Sequence, residues 1–188
     1  MKKFELTSEF ITNIFGTKLF RIKALIEFGN VKAGELGGFV EKEENLSQDG
    51  NAWVYDNARV YGDACVCGNA WVYDNARVYG DACVCGDARV YGDACVCGDA
   101  RVCGDACVYG DARVYGDAGY ATVHGFGSEY RTTTFFKTKA GDIGVKCGCF
   151  YGNLSEFRKK VVETHGETKK AKEYLMLADL MEFRLTHK

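Results

Sequence analysis

The eighteen residues GNAWVYDNARVYGDACVC fill positions 50–67, and the same eighteen letters are written again at 68–85. Inside each copy runs a shorter period. Valine holds every sixth place from Val54 to Val114, and alanine every sixth place from Ala52 to Ala118. A fixed short period of this kind marks a stacked architecture, whose units bury their apolar faces only against one another.

Each unit, Ala-x-Val-y, is a short strand. Side chains alternate across a strand, so Ala and Val share one side while x and y share the other. Gly-Asp or Asp-Asn follows and turns the chain, because these residues tolerate turn dihedrals and bond their own backbone. An eighteen-residue duplication leaves such a structure intact if three hexads complete one circuit of three flat sides. The expected fold is therefore mainly β: a triangular parallel β-helix of about four 18-residue coils, ~19 Å tall at roughly 4.8 Å per coil. Valine and alanine fill its interior and leave no room for a ligand.

An 18-residue register also sets the outer columns. One wall carries Trp53, Trp71, Arg89 and Cys107 beside Tyr55, Tyr73, Tyr91 and Tyr109. The second carries Arg59, Arg77, Cys95 and Arg113 beside Tyr61, Tyr79, Cys97 and Tyr115. The third carries Cys65, Cys83 and Arg101 beside Cys67, Cys85 and Cys103. At one corner Asp63, Asp81, Asp99 and Asp117 stack.

These repeats resemble the hexapeptide-repeat, left-handed β-helix superfamily, whose best-known members are acyltransferases. Left-handedness is implied by that resemblance alone and runs against the usual crossover rule. Residues 31–60, VKAGELGGFVEKEENLSQDGNAWVYDNARV, also look like a segment of uncharacterised enterobacterial and phage- or prophage-encoded hexapeptide proteins labelled putative acetyltransferase or polymer-forming protein. Together these resemblances imply fold strongly and function weakly.

The flanks divide the chain into residues 1–49, an N-terminal β cap and lead-in, 50–118, the β-helix, and 119–188, a C-terminal ββαα module. An open β-helix end exposes unpaired strand edges and needs a cap. The first thirty residues offer strands around a turn at Phe15, Gly16 and Thr17. Beyond Ala118 the hexad decays, with Tyr120 where valine is due, and Gly125 and Gly127 mark a boundary. Residues 132–139 and 143–151 then form a hairpin around Ala140, Gly141 and Asp142. Asn153 with Glu156 is a capping-box pair, Leu154, Phe157, Val161 and Val162 make one apolar face, and Gly166 ends the helix. A second helix over roughly 168–185 aligns Ala171, Tyr174, Leu175, Ala178, Met181 and Leu185, a stripe expected to pack on the prism end.

Composition narrows the function. Net charge is −2, which recommends neither nucleic acid nor membrane as partner. No apolar run approaches a membrane span, and MKKFELTSEF lacks a signal's hydrophobic segment, so a cytoplasmic setting in a bacterial host is expected. Eight of the ten cysteines take outward positions, as small fillers in a reducing compartment. Gly-Glu-Leu-Gly-Gly at 34–38 lacks the lysine of a phosphate loop.

An acyltransferase of the resembled family uses a histidine in or beside the coils and loops extruded from them. Here the coils contain no histidine and no insertion; His124, His165 and His187 all lie beyond the last coil. A general base must reach its acceptor, and His124 alone is placed for that. Cys65, Cys67, Cys83 and Cys85 form a square on a flat wall, where four thiols would have to bend together to hold a soft metal, so they are read as filler. The Asp63 column is read as turn chemistry. Cys147 and Cys149 make a weaker zinc candidate.

The expectation is a non-enzymatic β-helix scaffold with no catalytic residues, no cofactor and no metal. Its binding face is Trp53, Tyr55, Trp71, Tyr73, Tyr91 and Tyr109, because an outward wall repeating large aromatics is unlike a solvent-facing sheet. The partner is protein: the chain itself, as homodimer or homotrimer, and a host protein. Two rivals stand beside this expectation: a phage inhibitor of a host defence component, and a hexapeptide-repeat acyltransferase.

Overall fold

The computed structural model describes residues 2–116, 119–126 and 131–186. Its centre is a β-solenoid whose short strands pair in parallel on three walls. On the first, Trp53 pairs with Trp71, Trp71 with Arg89 and Arg89 with Cys107. On the second, Arg59, Arg77, Cys95 and Arg113 follow in register, and on the third Cys65, Cys83 and Arg101. Every step is eighteen residues, as the duplication requires. The hexad valines from Val54 to Val114 are wholly buried, and the alanines from Ala52 to Ala112 are exposed by no more than 1%. Each such valine contributes about 1.5–3 kcal/mol over an exposed one. Ala118 lies outside the described residues.

The corners explain the glycines. Gly50 has φ +71°, and a Cβ there would stand 2.5 Å from the carbonyl oxygen of Gly68 one coil away. Left-handed backbone and coil-to-coil contact thus both demand glycine. At one corner Asp56 (φ 51°) and Asp74 (φ 60°) take the same conformation, and the Asp74 carboxylate accepts the Gly92 amide at 3.0 Å. Asn51 donates to Asn69, and Asn69 to Asp87, through side-chain amides at 3.1 and 3.0 Å. These turn residues spend their polar atoms on the adjoining coil.

The prism starts earlier than position 50. Strand β3 (Leu36–Val40) pairs in parallel with Arg59–Val60, and Leu46 bridges Val66. Both offsets are twenty residues, because Ser47, Gln48 and Asp49 lengthen the step from Leu46 to Val54. Strands β1 (Phe4–Thr12) and β2 (Lys18–Ala24) form a hairpin that continues the second wall antiparallel to β3. Asn13 makes its turn, accepting the amides of Phe15 and Thr17 at 2.9 Å each. Phe4, Ile22, Ala24 and Val31 close the apolar column from below.

Two buried polar side chains finish that end. The Lys3 ammonium donates to the carbonyls of Asp49, Gly50 and Ala52, the last at 3.0 Å, and lies 4.9 Å from the Phe28 ring. Asn45 donates to the carbonyls of Gly62 and Ala64 at 3.0 and 2.8 Å while accepting the Lys42 amide. Both satisfy first-coil carbonyls at the open end of the stack, where an unmatched buried acceptor costs about 1–3 kcal/mol.

At the other end the chain forms a four-stranded antiparallel sheet, with strands Tyr120–Phe126, Arg131–Lys137, Ile143–Cys147 and Phe150–Asn153. The expected hairpin supplies the inner two strands, but the strand expected over 143–151 is broken by a turn at Gly148 and Cys149, and its end folds back as the outer strand Phe150–Asn153; Tyr120–Phe126 forms the other edge. Helix α1 (Leu154–His165) begins at the expected Asn153–Glu156 capping box and stops at Gly166, φ +58°. Helix α2 (Lys169–Thr186) follows. One expectation is corrected: the helical stripe does not pack on the prism end. It covers one face of the new sheet, where Leu154, Phe157, Val161, Ala171, Tyr174, Ala178, Met181 and Leu185 form a second core with Phe135 and Val145. The sheet caps the prism, inserting Phe136 into the valine column. Val162, expected on the apolar face of α1, is 51% exposed.

Candidate interaction surface

The first wall places its aromatics at unequal depth. Trp53 is fully buried, wedged edge-on between Phe4 (6.2 Å) and Phe28 (5.4 Å) of the N-terminal cap. It is therefore removed from the candidate face: cap residues far away in sequence cover it, although its strand position points it outward. Tyr109 is covered at the other end by Tyr151, centroid 4.5 Å away, with the Lys146 ammonium 5.7 Å from its ring. Between these covers Tyr55, Trp71, Tyr73 and Tyr91 are partly buried, as Tyr109 is.

Those four are pre-arranged by one another. Tyr73 and Tyr91 stack at 4.7 Å with rings 5° from parallel, and Tyr91 lies 4.4 Å from Tyr109. Stacking fixes their rotamers before any partner arrives, which lowers the ordering cost of binding. Burial among these neighbours pushes the Tyr73 hydroxyl up to about 12 and raises Tyr91 as well, so both are neutral at physiological pH. Tyr55 breaks the stack, standing edge-on to Trp71 (5.8 Å, 70°) and to Tyr73 (6.4 Å, 85°).

The other candidates fall elsewhere. On the third wall the expected thiol column brings Cys85 Sγ within 2.8 Å of Cys103 Sγ. Burial raises the Cys67 thiol to about 11 and raises Cys65 and Cys85 too, which keeps them protonated. Among the described residues no three His, Cys, Asp or Glu side chains gather as a metal site. Cys95 and Cys97 of the second wall are buried, beneath a wall on which Tyr61 and Tyr79 stack at 5.0 Å. Asp63 pairs with Lys42 at 2.7 Å, and that hydrogen bond holds its carboxyl below the usual range. Asp117 and His187 lie outside the described residues. His124 is exposed on the edge strand, its Nδ1 3.0 Å from Thr132 Oγ1, and His165 stacks on Tyr174 at 5.8 Å. Cys147 accepts from Thr133 Oγ1 at 3.1 Å and lies 3.9 Å from the Tyr174 hydroxyl.

Two exposed apolar patches escaped the sequence reading. The β1–β2 turn presents Ile14 and Phe15, 92% and 75% exposed. Helix α2 presents Met176, Leu180 and Phe183 on the face opposite its buried stripe. Their spacing of four and then three residues was a visible signal: α2 is apolar on two faces, and the sheet can cover only one.

The coils match the YdcK β-solenoid repeat at residues 52–68, 70–86 and 100–116. A protein of Escherichia coli (strain K12) named "Uncharacterized acetyltransferase YdcK" is 39% identical over 74 residues, covering 35% of this chain. The chain spans 23% of that relative's length. Repeats and coils together make this a hexapeptide-repeat-like β-helix protein. Among the described residues no helix is long and apolar enough to cross a membrane.

Proposed function

We propose that the protein is a non-enzymatic interaction scaffold that associates through its first wall, with a second copy of itself as the primary partner. One observation carries this reading: Tyr55, Trp71, Tyr73 and Tyr91 make a partly exposed aromatic strip on a parallel sheet between the two caps. Aromatic side chains with few rotatable bonds are the residues that concentrate binding energy at interfaces. The resembled superfamily, whose members commonly assemble along their prisms, supports the same choice.

A phage or prophage origin, a cytoplasmic setting and a host protein as second partner extend this proposal. The origin and the host partner rest on the resemblance of residues 31–60, and the setting on the apolar pattern of the sequence. An acyltransferase is the alternative that the relative's name brings. Against it stand the histidine-free coils and an exposed His124 that bonds Thr132. Light scattering of the wild-type protein at tens of micromolar tests the scaffold, with a dimer or trimer expected and a monomer overturning it. Saturable acetyl-CoA binding would bring the enzyme back.

A further inference from the structure

Trp53 is buried at the capped end of the first wall. Its partner in register, Trp71, carries the Arg89 guanidinium of the next coil 5.3 Å from its ring. Between the first and second coils this wall holds a recess of about 320 Å³ lined by Asn30, Tyr55, Asp56, Trp71 and Tyr73. Farther along the wall Tyr73 and Tyr91 stack in parallel and leave no gap between them. At the recess Tyr55 turns perpendicular to both Trp71 and Tyr73, so the three rings make a corner instead of a stack.

The polar lining residues of this corner are Asn30 and Asp56, with the Arg89 and Arg21 guanidiniums at its margins. Asp56 lines it with an exposed carboxylate, and among the described residues only its backbone carbonyl is engaged, by Arg21. Glu35 and Asp56 both raise the Tyr55 hydroxyl after burial, so their charge is felt at the ring. Aromatic faces with an adjoining carboxylate select a cation, since the ring quadrupole and the carboxylate attract the same charge. Arg89 already makes a cation–ring contact at Trp71.

We propose that the Tyr55–Trp71–Tyr73 recess, with Asp56 at its rim, is a receptor for one arginine side chain of a protein partner. The guanidinium stacks in the ring corner and pairs with Asp56, while the arginine stem lies along the rings. This deepens the reading of the first wall as a protein-binding face and depends on it. The two can still fail separately, because a wall that associates without an arginine anchor gives dimers and no peptide binding.

The test uses the intact chain, diluted until light scattering shows a monomer so that the first wall is uncovered, and the peptide acetyl-Gly-Arg-Gly-amide, with its citrulline counterpart as a neutral isostere. Trp53 is buried, so a change in tryptophan emission on adding peptide reports Trp71. Saturation in the millimolar range is expected with arginine and at least about fivefold weaker binding with citrulline. Asp56→Asn removes the charge while keeping a residue that tolerates positive φ. Asp56→Gly is a second variant that the backbone accommodates, since Gly92 and Gly110 occupy the same corner column at φ +75° and +67°. Both should weaken arginine binding about three- to tenfold, and Asp105→Asn, at another corner, should leave it unchanged. Equal response to arginine and citrulline, no saturable response, or full binding by both Asp56 variants would overturn the proposal.

Discussion

Phe135 and Phe136 are consecutive on one strand and belong to different cores: Phe136 is buried in the valine column of the prism, Phe135 under the two helices. Strand alternation alone sends them to opposite faces. The Arg131–Lys137 strand is thus the shared partition between solenoid and helical layer, and the C-terminal cap is attached through it. Ala112 bridges Thr138, and Thr134 Oγ1 accepts the Cys107 amide at 3.0 Å.

Truncating either phenylalanine should therefore cost about 3–5 kcal/mol, with different local signatures. Phe136→Ala should speed amide exchange around Val108 and Val114, whereas Phe135→Ala should speed exchange in α1 and α2 and spare the coils. Hydrogen exchange read by mass spectrometry separates the two. Identical exchange patterns would mean that the partition is wrong.

Removal of residues 68–85 should leave a folded protein, because the repeated sequence recreates an identical junction and each coil contacts only its neighbours. Removal of six residues, 68–73, turns every later wall by one face and separates the caps from their seats. Circular dichroism and thermal melting should show a cooperative transition for the first deletion and none for the second.

Alkali should destabilise the fold. Cys65, Cys67, Cys85, Cys97 and Cys107 have thiols raised mainly by burial, and Tyr55, Tyr61, Tyr73 and Tyr91 have hydroxyls raised the same way. An acid whose folded pKa exceeds its unfolded one contributes stability that is full below the unfolded pKa and lost as pH rises toward the folded value. The loss should begin near pH 9, through the thiols, and deepen past 10 as tyrosines follow. Lys3 works in the opposite direction: burial lowers it to about 8, so its contribution improves from pH 8 to about 10.5. Urea midpoints under reducing conditions should fall above pH 9, and the advantage of wild type over Lys3→Met should grow between pH 8 and 10.5.

The sequence carried the coils because the solenoid is a local-repeat problem: Val54, Val72, Val90 and Val108 meet their partners by counting eighteen. The same counting put Cys85 beside Cys103. What it could not supply is cover from residues with no period. Trp53 occupies the same place in its repeat as Trp71, yet Phe4 and Phe28 bury one and leave the other at the surface. Strand Tyr120–Phe126 and the reversal that makes Phe150–Asn153 a separate strand from 143–147 have no clean alternation to mark them, and each depends on a neighbour in the sheet. Tyr151, closing the tyrosine column from outside the repeat, had no signal at all.

Mild oxidation should link Cys85 to Cys103 before other pairs. Their sulfurs are 2.8 Å apart on adjoining coils, whereas Cys95 and Cys97 are 3.9 Å apart. With diamide as oxidant, both thiol protons and two electrons leave and one S–S bond forms. Peptide mapping should find the 85–103 link, and Cys103→Ser should abolish it. Metal analysis of reduced protein should find no stoichiometric zinc; about one zinc per chain retained through dialysis would contradict the filler reading of the third wall.

The first wall and α2 compete as the surface through which copies associate, and substitution can tell them apart. Tyr73 and Tyr91 stack on one another, so replacing both with Glu forfeits roughly 0.2–1 kcal/mol per ring pair within the monomer. That is a small part of a fold held mainly by the Val and Ala column. Placing two carboxylates in the aromatic strip should nevertheless abolish an interface centred there, because buried charge without a partner is costly. Met176→Glu with Leu180→Glu changes the exposed face of α2 and leaves its buried stripe intact. Light scattering at tens of micromolar should give a lower mass for the tyrosine pair variant, an unchanged mass for the α2 variant, and the same β-rich spectrum for both. A loss of mass confined to the α2 variant would move the interface to the helical layer and leave the tyrosine column as ladder stabilisation alone.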